Sequence, residues 1–139
     1  MKIVQKEISI TTKGDTDIID ITTDVAKLLK KSGLVDGYVN LFVQGSTGSL
    51  TTIEYEPNLV EDFENALKRL IPSNIRYAHK ETWGDSNGHS HVRASFMGPS
   101  LQVPFANKSL RLGTWQQIIF IDFDTRPRQR NIITQLIGT

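Results

Sequence analysis

Runs of β-branched and aromatic residues that do not alternate with helical segments are what most restrict the fold of this chain. Eight stretches read as strands: 2–11, 17–21, 38–43, 50–55, 89–96, 101–103, 116–123 and 131–137. Only two stretches carry helical periodicity. In the clearer one, about 58–71, Val60, Phe63, Leu67, Leu70 and Ile71 form one apolar stripe. Asn58 and Glu61 suit its start, Lys68 and Arg69 suit its last turn, and Pro72 stops it. The second, about 23–32, turns Val25, Leu28 and Leu29 to one side and ends at Gly33. A doubly wound parallel sheet needs regular strand–helix alternation, which is missing. The expectation is a single α+β domain over 1–139, with largely antiparallel, sandwich-like sheets and two main helices.

The 139 residues suffice for one self-supporting core. Cysteine is absent, which removes disulfide frameworks, cysteine-ligated zinc and thiol nucleophiles. Sixteen Lys and Arg against fifteen Asp and Glu leave a net charge of +1. A nucleic-acid binder normally shows a basic excess, so no nucleic-acid partner is expected. No stretch is long and apolar enough for a membrane span, and charged residues follow Met1 at once. A soluble, cytoplasmic protein is expected, with no membrane partner.

All three histidines fall between positions 79 and 91, at the end of a weakly patterned loop from Pro72 to Gly88. Loops of this length are often functional. Read as a strand, 89–96 would place His89 and His91 on one face, with Arg93 next along it. The loop would fold His79 back as a third group. Three imidazoles can hold a divalent metal, zinc or magnesium, as His79, His89 and His91 would here, or can act as acids and bases. Glu54, at a strand end, is a candidate base or orienter of a histidine. Ser46 and Thr47, in the Gly45–Gly48 connection, offer hydroxyls and open backbone N–H groups to a phosphate. The Lys-Ser/Thr ending of a P-loop is missing there. Arg93, Arg128 and Arg130 are the candidate phosphate cations, expected to converge with Ser46 and Thr47. Trp115, at a strand start, is more often core or subunit interface than a platform for a ligand.

Several motifs together resemble those of the YjbQ-like family, an uncharacterised family also described as secondary thiamine-phosphate synthases. They are 112–116 (Leu-Gly-Thr-Trp-Gln), 87–95 (Asn-Gly-His-Ser-His-Val-Arg-Ala-Ser), 46–54 (Ser-Thr-Gly-Ser-Leu-Thr-Thr-Ile-Glu) and 77–79 (Tyr-Ala-His). The resemblance spans essentially the whole chain and implies an α+β homotrimer. It also implies weak coupling of a hydroxymethylpyrimidine diphosphate to a thiazole phosphate, giving thiamine phosphate and pyrophosphate. His79, His91 and Glu54 would then be catalytic, and Thr47, Trp115 and Gln116 would meet the substrate. Members often carry histidine where this chain has Gly45. A metal-dependent hydrolase, or a non-enzymatic phosphate- or metal-binding module, would use the same residues.

Overall fold

A computed structural model describes residues 1–139. Eight strands and four helices follow one another as β1 (Lys2–Thr11), β2 (Asp17–Asp20), α1 (Thr22–Ser32), β3 (Gly37–Val43), β4 (Gly48–Ile53), α2 (Pro57–Leu70), α3 (Lys80–Trp83), α4 (Gly88–Met97), β5 (Ser100–Ala106), β6 (Ser109–Leu110), β7 (Gln117–Asp122) and β8 (Gln129–Gly138). Five strands form one sheet in the order β1-β8-β3-β5-β6, and three form a second in the order β2-β7-β4. Every pairing is antiparallel. The expected α+β class with antiparallel sheets is therefore what the chain adopts.

The two sheets enclose the larger core. Val25 and Leu29 of α1 pack there with Val39, Leu41, Ile132 and Leu136 of the five-stranded sheet and with Ile118 and Phe120 of β7. The residues of β7 that alternate with these, Ile119 and Ile121, point the other way. They join Leu67 of α2 and Ala94 of α4 in a smaller second core. A strand covered on both faces needs an unbroken apolar run, and 118–121 is Ile-Ile-Phe-Ile. No helix is long and apolar enough to cross a membrane.

Two local readings need correction. The stretch expected as a strand over 89–96 is the helix α4. His-x-His suggests a period of two. Ser90, Arg93, Ala94 and Met97 instead recur at three to four, and the side that faces the second core carries Ala94 and Met97. Packing of that face decides the conformation over the weak local pattern. Second, α2 starts two residues earlier than the Asn58 cap implies. Glu56 caps it, its carboxylate accepting from the Asn58 and Leu59 backbone N–H groups, with Pro57 in the first turn. The connection through Gly45 to Gly48 runs, as expected, between two strands, β3 and β4, which belong to different sheets.

Candidate functional site

The helical form of α4 rearranges the histidines. Residues two apart on a helix point about 200° apart, so His89 and His91 do not stand side by side. His91 faces the loop and meets His79, with ring centroids 4.6 Å apart and planes tilted by 59°. His89 turns inward. It is 3% exposed, lies 6.2 Å from the Tyr77 ring, and leaves its Nδ1 buried without a partner. The expected three-histidine cluster is thus a pair.

The loop is held against α4 by close packing at Gly88. A Cβ there would come within 2.5 Å of the Tyr77 Cβ. Tyr77 also donates its hydroxyl to the Pro72 carbonyl. Ala78 and His79 lead into the short α3, whose first turn is closed by bonds from the Lys80, Glu81 and Thr82 N–H groups. This fixes His79 over the first turns of α4.

Burial pushes the His91 pKa below its ordinary value, and the neighbouring His79 pushes it the same way. Asp124, the Ser46 backbone and Asp85 oppose these effects without cancelling them. His91 is therefore a neutral imidazole at pH 7, free to accept a proton or to ligate a cation.

Beneath the pair lies a buried ionic network. Arg130 donates through Nε and Nη2 to the two carboxylate oxygens of Asp122, at 2.8 and 3.0 Å, and through Nη2 to Thr47 Oγ1 at 2.7 Å. Arg128 donates to Asp124 Oδ2 from Nε and Nη2, at 3.1 and 2.9 Å. Thr12 donates its hydroxyl to Asp122 Oδ2 at 2.7 Å, and Asn87 Nδ2 donates to Asp124 Oδ1 at 3.3 Å. Burial is the largest single influence on Asp122 and acts to raise its pKa. The bonds from Arg130, Thr12 and the Asp124 N–H, with the Arg130 charge, outweigh it and hold the carboxyl below its usual range.

The expected convergence of Ser46, Thr47, Arg93 and one of Arg128 or Arg130 on a phosphate is not what this network forms. Thr47 and Arg130 do meet, yet both arginines at 128 and 130 are occupied by carboxylates. Arg93 is buried elsewhere, donating to the Ile71 carbonyl and to Thr16 Oγ1. Glu54 lies past the far end of β4, about 20 Å of extended chain from Thr47. There Glu54, Glu56, Tyr55 and Trp115 border a cavity of about 410 Å³. Gln116 holds that end in place, donating to Thr52 Oγ1 and accepting from the Gly113 N–H. Within one chain, Glu54 cannot orient either histidine.

Asp122, Asp124 and Asn87 are the residues missed by sequence reasoning. A signal was present: Asp122-Phe123-Asp124 and Arg128-Gln129-Arg130 have matching spacings of two on either side of the short connection from β7 to β8. Nor is any group of three or more His, Asp or Glu side chains arranged to hold a metal ion. The His79–His91 pair offers two ligands, one short of a catalytic zinc set.

His89 sets a pH limit on the fold. Burial is the main cause of its lowered pKa, and the Arg93 charge adds to it, against Asp15 and Asp124. The unfolded chain takes up this proton near pH 6.5, the folded chain only at lower pH. Between the two values the unfolded state binds more protons, so stability falls as pH drops through that window and is unaffected above it. Urea unfolding should show a lower midpoint at pH 5.5 than at pH 7.5, with much of the difference removed in His89→Gln. Identical midpoints at the two pH values in the unmodified protein would contradict this.

The sequence profile of the family described as UPF0047 protein YjbQ-like matches residues 6–139. A UPF0047 protein of Methanothermobacter thermautotrophicus is 36% identical over 138 residues, spanning 99% of this chain and 94% of its own length. The crystal structure of a YbjQ-like protein of unknown function from Sulfolobus solfataricus superposes with a TM-score of 0.94 at 29% identity, covering 99% of both chains. That of an uncharacterised conserved YjbQ/UPF0047 protein from Clostridium acetobutylicum gives 0.87 at 37% identity, covering 95% of this chain and 99% of its own. With its whole length matched in sequence and in fold, the chain belongs to the YjbQ-like UPF0047 family.

Proposed function

We propose that the protein is a small-molecule enzyme acting on phosphorylated pyrimidine and thiazole substrates, a weak thiamine-phosphate synthase, with His79 and His91 as its chemical groups. The observation that carries this reading is the pairing of the two rings, 4.6 Å apart, at the edge of the loop. The neighbouring loop borders a cavity of about 540 Å³ whose walls include Arg76, Lys80, Asp85 and Ser86. Arg76 and Lys80 are the cations of this wall, Arg76 exposed and paired with Glu81 of the same wall, whereas the guanidinium groups of Arg93, Arg128 and Arg130 are engaged within the fold. In the coupling, the carbon–oxygen bond to the diphosphate breaks and the thiazole nitrogen bonds to that carbon. The charge grows on the departing pyrophosphate. A neutral imidazole that takes a proton beside such a polyanion becomes a stabilising imidazolium. The homotrimer implied by the family resemblance is part of this proposal, since only another copy can bring Glu54 and Trp115 to the pair.

A second reading rests on the same pair. Two imidazoles can bind zinc, with water or a third group completing the set, and activate that water for hydrolysis. Magnesium, which favours oxygen ligands, fits them poorly. Thermal unfolding with each additive separates the readings. A rise in Tm with hydroxymethylpyrimidine diphosphate, together with thiamine phosphate formed on adding the thiazole phosphate, supports the synthase. A rise with zinc that a chelator reverses supports the hydrolase. No shift with the diphosphate and no product would refute the first.

A further inference from the structure

We infer that the fork where β4 and β7 part is a binding pocket for a small organic cation whose nitrogen carries only carbon, an alkylammonium or an alkylated aromatic ring. The pocket is formed within one chain and does not involve the His79–His91 pair.

The fork follows from the end of a ladder. The pairing of β4 with β7 stops where Ile53 faces Gln117. Beyond that pair the two segments diverge. On one branch the Glu54 carbonyl accepts from the Glu56 N–H, a three-residue turn that carries the chain into α2. On the other, the Gln116 N–H bonds back to the Gly113 carbonyl, and the Gln116 side chain links Gly113 to Thr52. These bonds fix the turn that leaves Trp115 72% exposed. Tyr55, on the first branch, is anchored by its hydroxyl, which donates to the Ile18 carbonyl at 2.9 Å. Both rings border the cavity of about 410 Å³, a volume within the roughly 300–1,000 Å³ of small-molecule sites.

The charge on this lining has one sign. Glu54 and Glu56 border the cavity, with no Lys, Arg or His. The two acids are not equivalent. Glu56 turns its two oxygens to the Asn58 and Leu59 N–H groups. That closes the start of α2 to any outside anion. Glu54 has no ion-pair partner in the chain, so its charge is unbalanced. A carboxylate beside aromatic ring faces, which are themselves negative, attracts a cation.

The lining also selects the kind of cation. A primary ammonium brings three N–H donors and needs an acceptor for each. The oxygens of Glu56 are engaged and an indole N–H only donates, so Glu54 is the one carboxylate free to accept. A nitrogen bearing only carbon has no donor to satisfy and gains from charge and ring faces alone. A phosphate would face two carboxylates. The coupling proposed above generates a centre of the favoured kind, because it alkylates the thiazole nitrogen, yet the pocket does not rest on that reaction.

Fluorescence titration of the full chain tests this. Trp83→Phe, an exposed change on α3, leaves Trp115 as the one tryptophan. Choline and N-methylthiazolium are the probes, and the tighter of the two identifies whether the pocket suits an alkylammonium or an alkylated ring. Each should change Trp115 emission saturably. Choline should bind about tenfold more tightly than its neutral isostere, in which carbon replaces nitrogen, because the isostere lacks the attraction to Glu54 and to the ring faces. Glu54→Gln should remove most of that preference while leaving the affinity for the isostere unchanged. Trp115→Leu, followed by calorimetry, should weaken binding of both cations by about threefold or more. Equal affinity for choline and its isostere, choline binding unaltered in Glu54→Gln, or methylammonium binding more tightly than choline would overturn the inference. No response to either cation from a protein that does form thiamine phosphate would overturn it alone. Choline bound as expected by a protein that forms no thiamine phosphate would refute the synthase reading and leave the pocket in place.

Discussion

Arg130→Ala is expected to destabilise the fold by about 3–5 kcal/mol, the usual cost of removing one partner of a buried ion pair. In a domain of this size that corresponds to a fall in Tm of roughly 10–20 °C. Asp122 is fully buried, and the Arg130 side chain is 13% exposed. Without the guanidinium, Asp122 keeps only the Thr12 hydroxyl and the Asp124 N–H as donors. Neither offsets the desolvation of a full negative charge, so the carboxyl must protonate or the surrounding strands must open. Arg130→Lys should recover only part of the loss, since one ammonium cannot serve both carboxylate oxygens and Thr47. Arg128→Ala should cost far less. Its side chain is 34% exposed, and Asp124 retains Asn87 and the Thr125 N–H. Denaturant unfolding of the three variants gives the ordering directly. A loss below 1 kcal/mol in Arg130→Ala would show that the network is not integral to the fold.

The same network has an acid limit. Asp122 titrates lower in the folded chain than in the unfolded one. Its contribution is complete above the ordinary carboxylate range near pH 4 and is lost as pH falls through its folded value. This loss begins at lower pH than the His89 effect, whose onset is near pH 6.5, so stability should fall first through the histidine and then through the carboxylate.

How legible the molecule was in its sequence depended on how local the determining physics is. The α2 stripe and its Pro72 stop need only neighbours along the chain, and that helix is where periodicity places it. The Gly33 exit from α1 has the left-handed conformation expected of it, with φ 76°. The α4 segment is a different case. Its short pattern fits two periods, and the choice is made by Ala94 and Met97 against residues on β7 and α2, far away in sequence. One wrong period then moved two site residues: His89 went inward, and Arg93 left the face of His91. Glu54 and Trp115 share family motifs with the histidines, but motif membership carries no distance. The length of β4 separates them. The Asp122–Arg130 pairing was open to detection, because acids and arginines at equal spacing on the two sides of a short connection can meet across it.

His91→Ala should abolish the proposed activity, with a loss of about 10²–10⁴-fold if the ring acts as acid or base. It should leave the fold intact. His91 is only partly buried and lies within α4, where alanine is the better helix former. His79→Ala should have a loss of the same order, because each ring sets the environment of the other at 4.6 Å. The double variant should then be little worse than either single one, as for groups that act as a unit. The pH dependence gives a sharper check. Burial and His79 hold the His91 pKa below its ordinary value, so an activity needing the neutral ring should be full at pH 7.5 and fall only below the range of an exposed histidine. In His79→Ala, one of the two downward influences on His91 is gone. The midpoint of any residual activity should therefore move to higher pH. Binding of zinc, followed by calorimetry, should weaken in both single variants if the pair is a metal ligand set, and should be untouched if the rings serve only in proton transfer. Product formation at the unmodified rate in His91→Ala, or an unshifted pH midpoint in His79→Ala, would remove the pair from the chemistry.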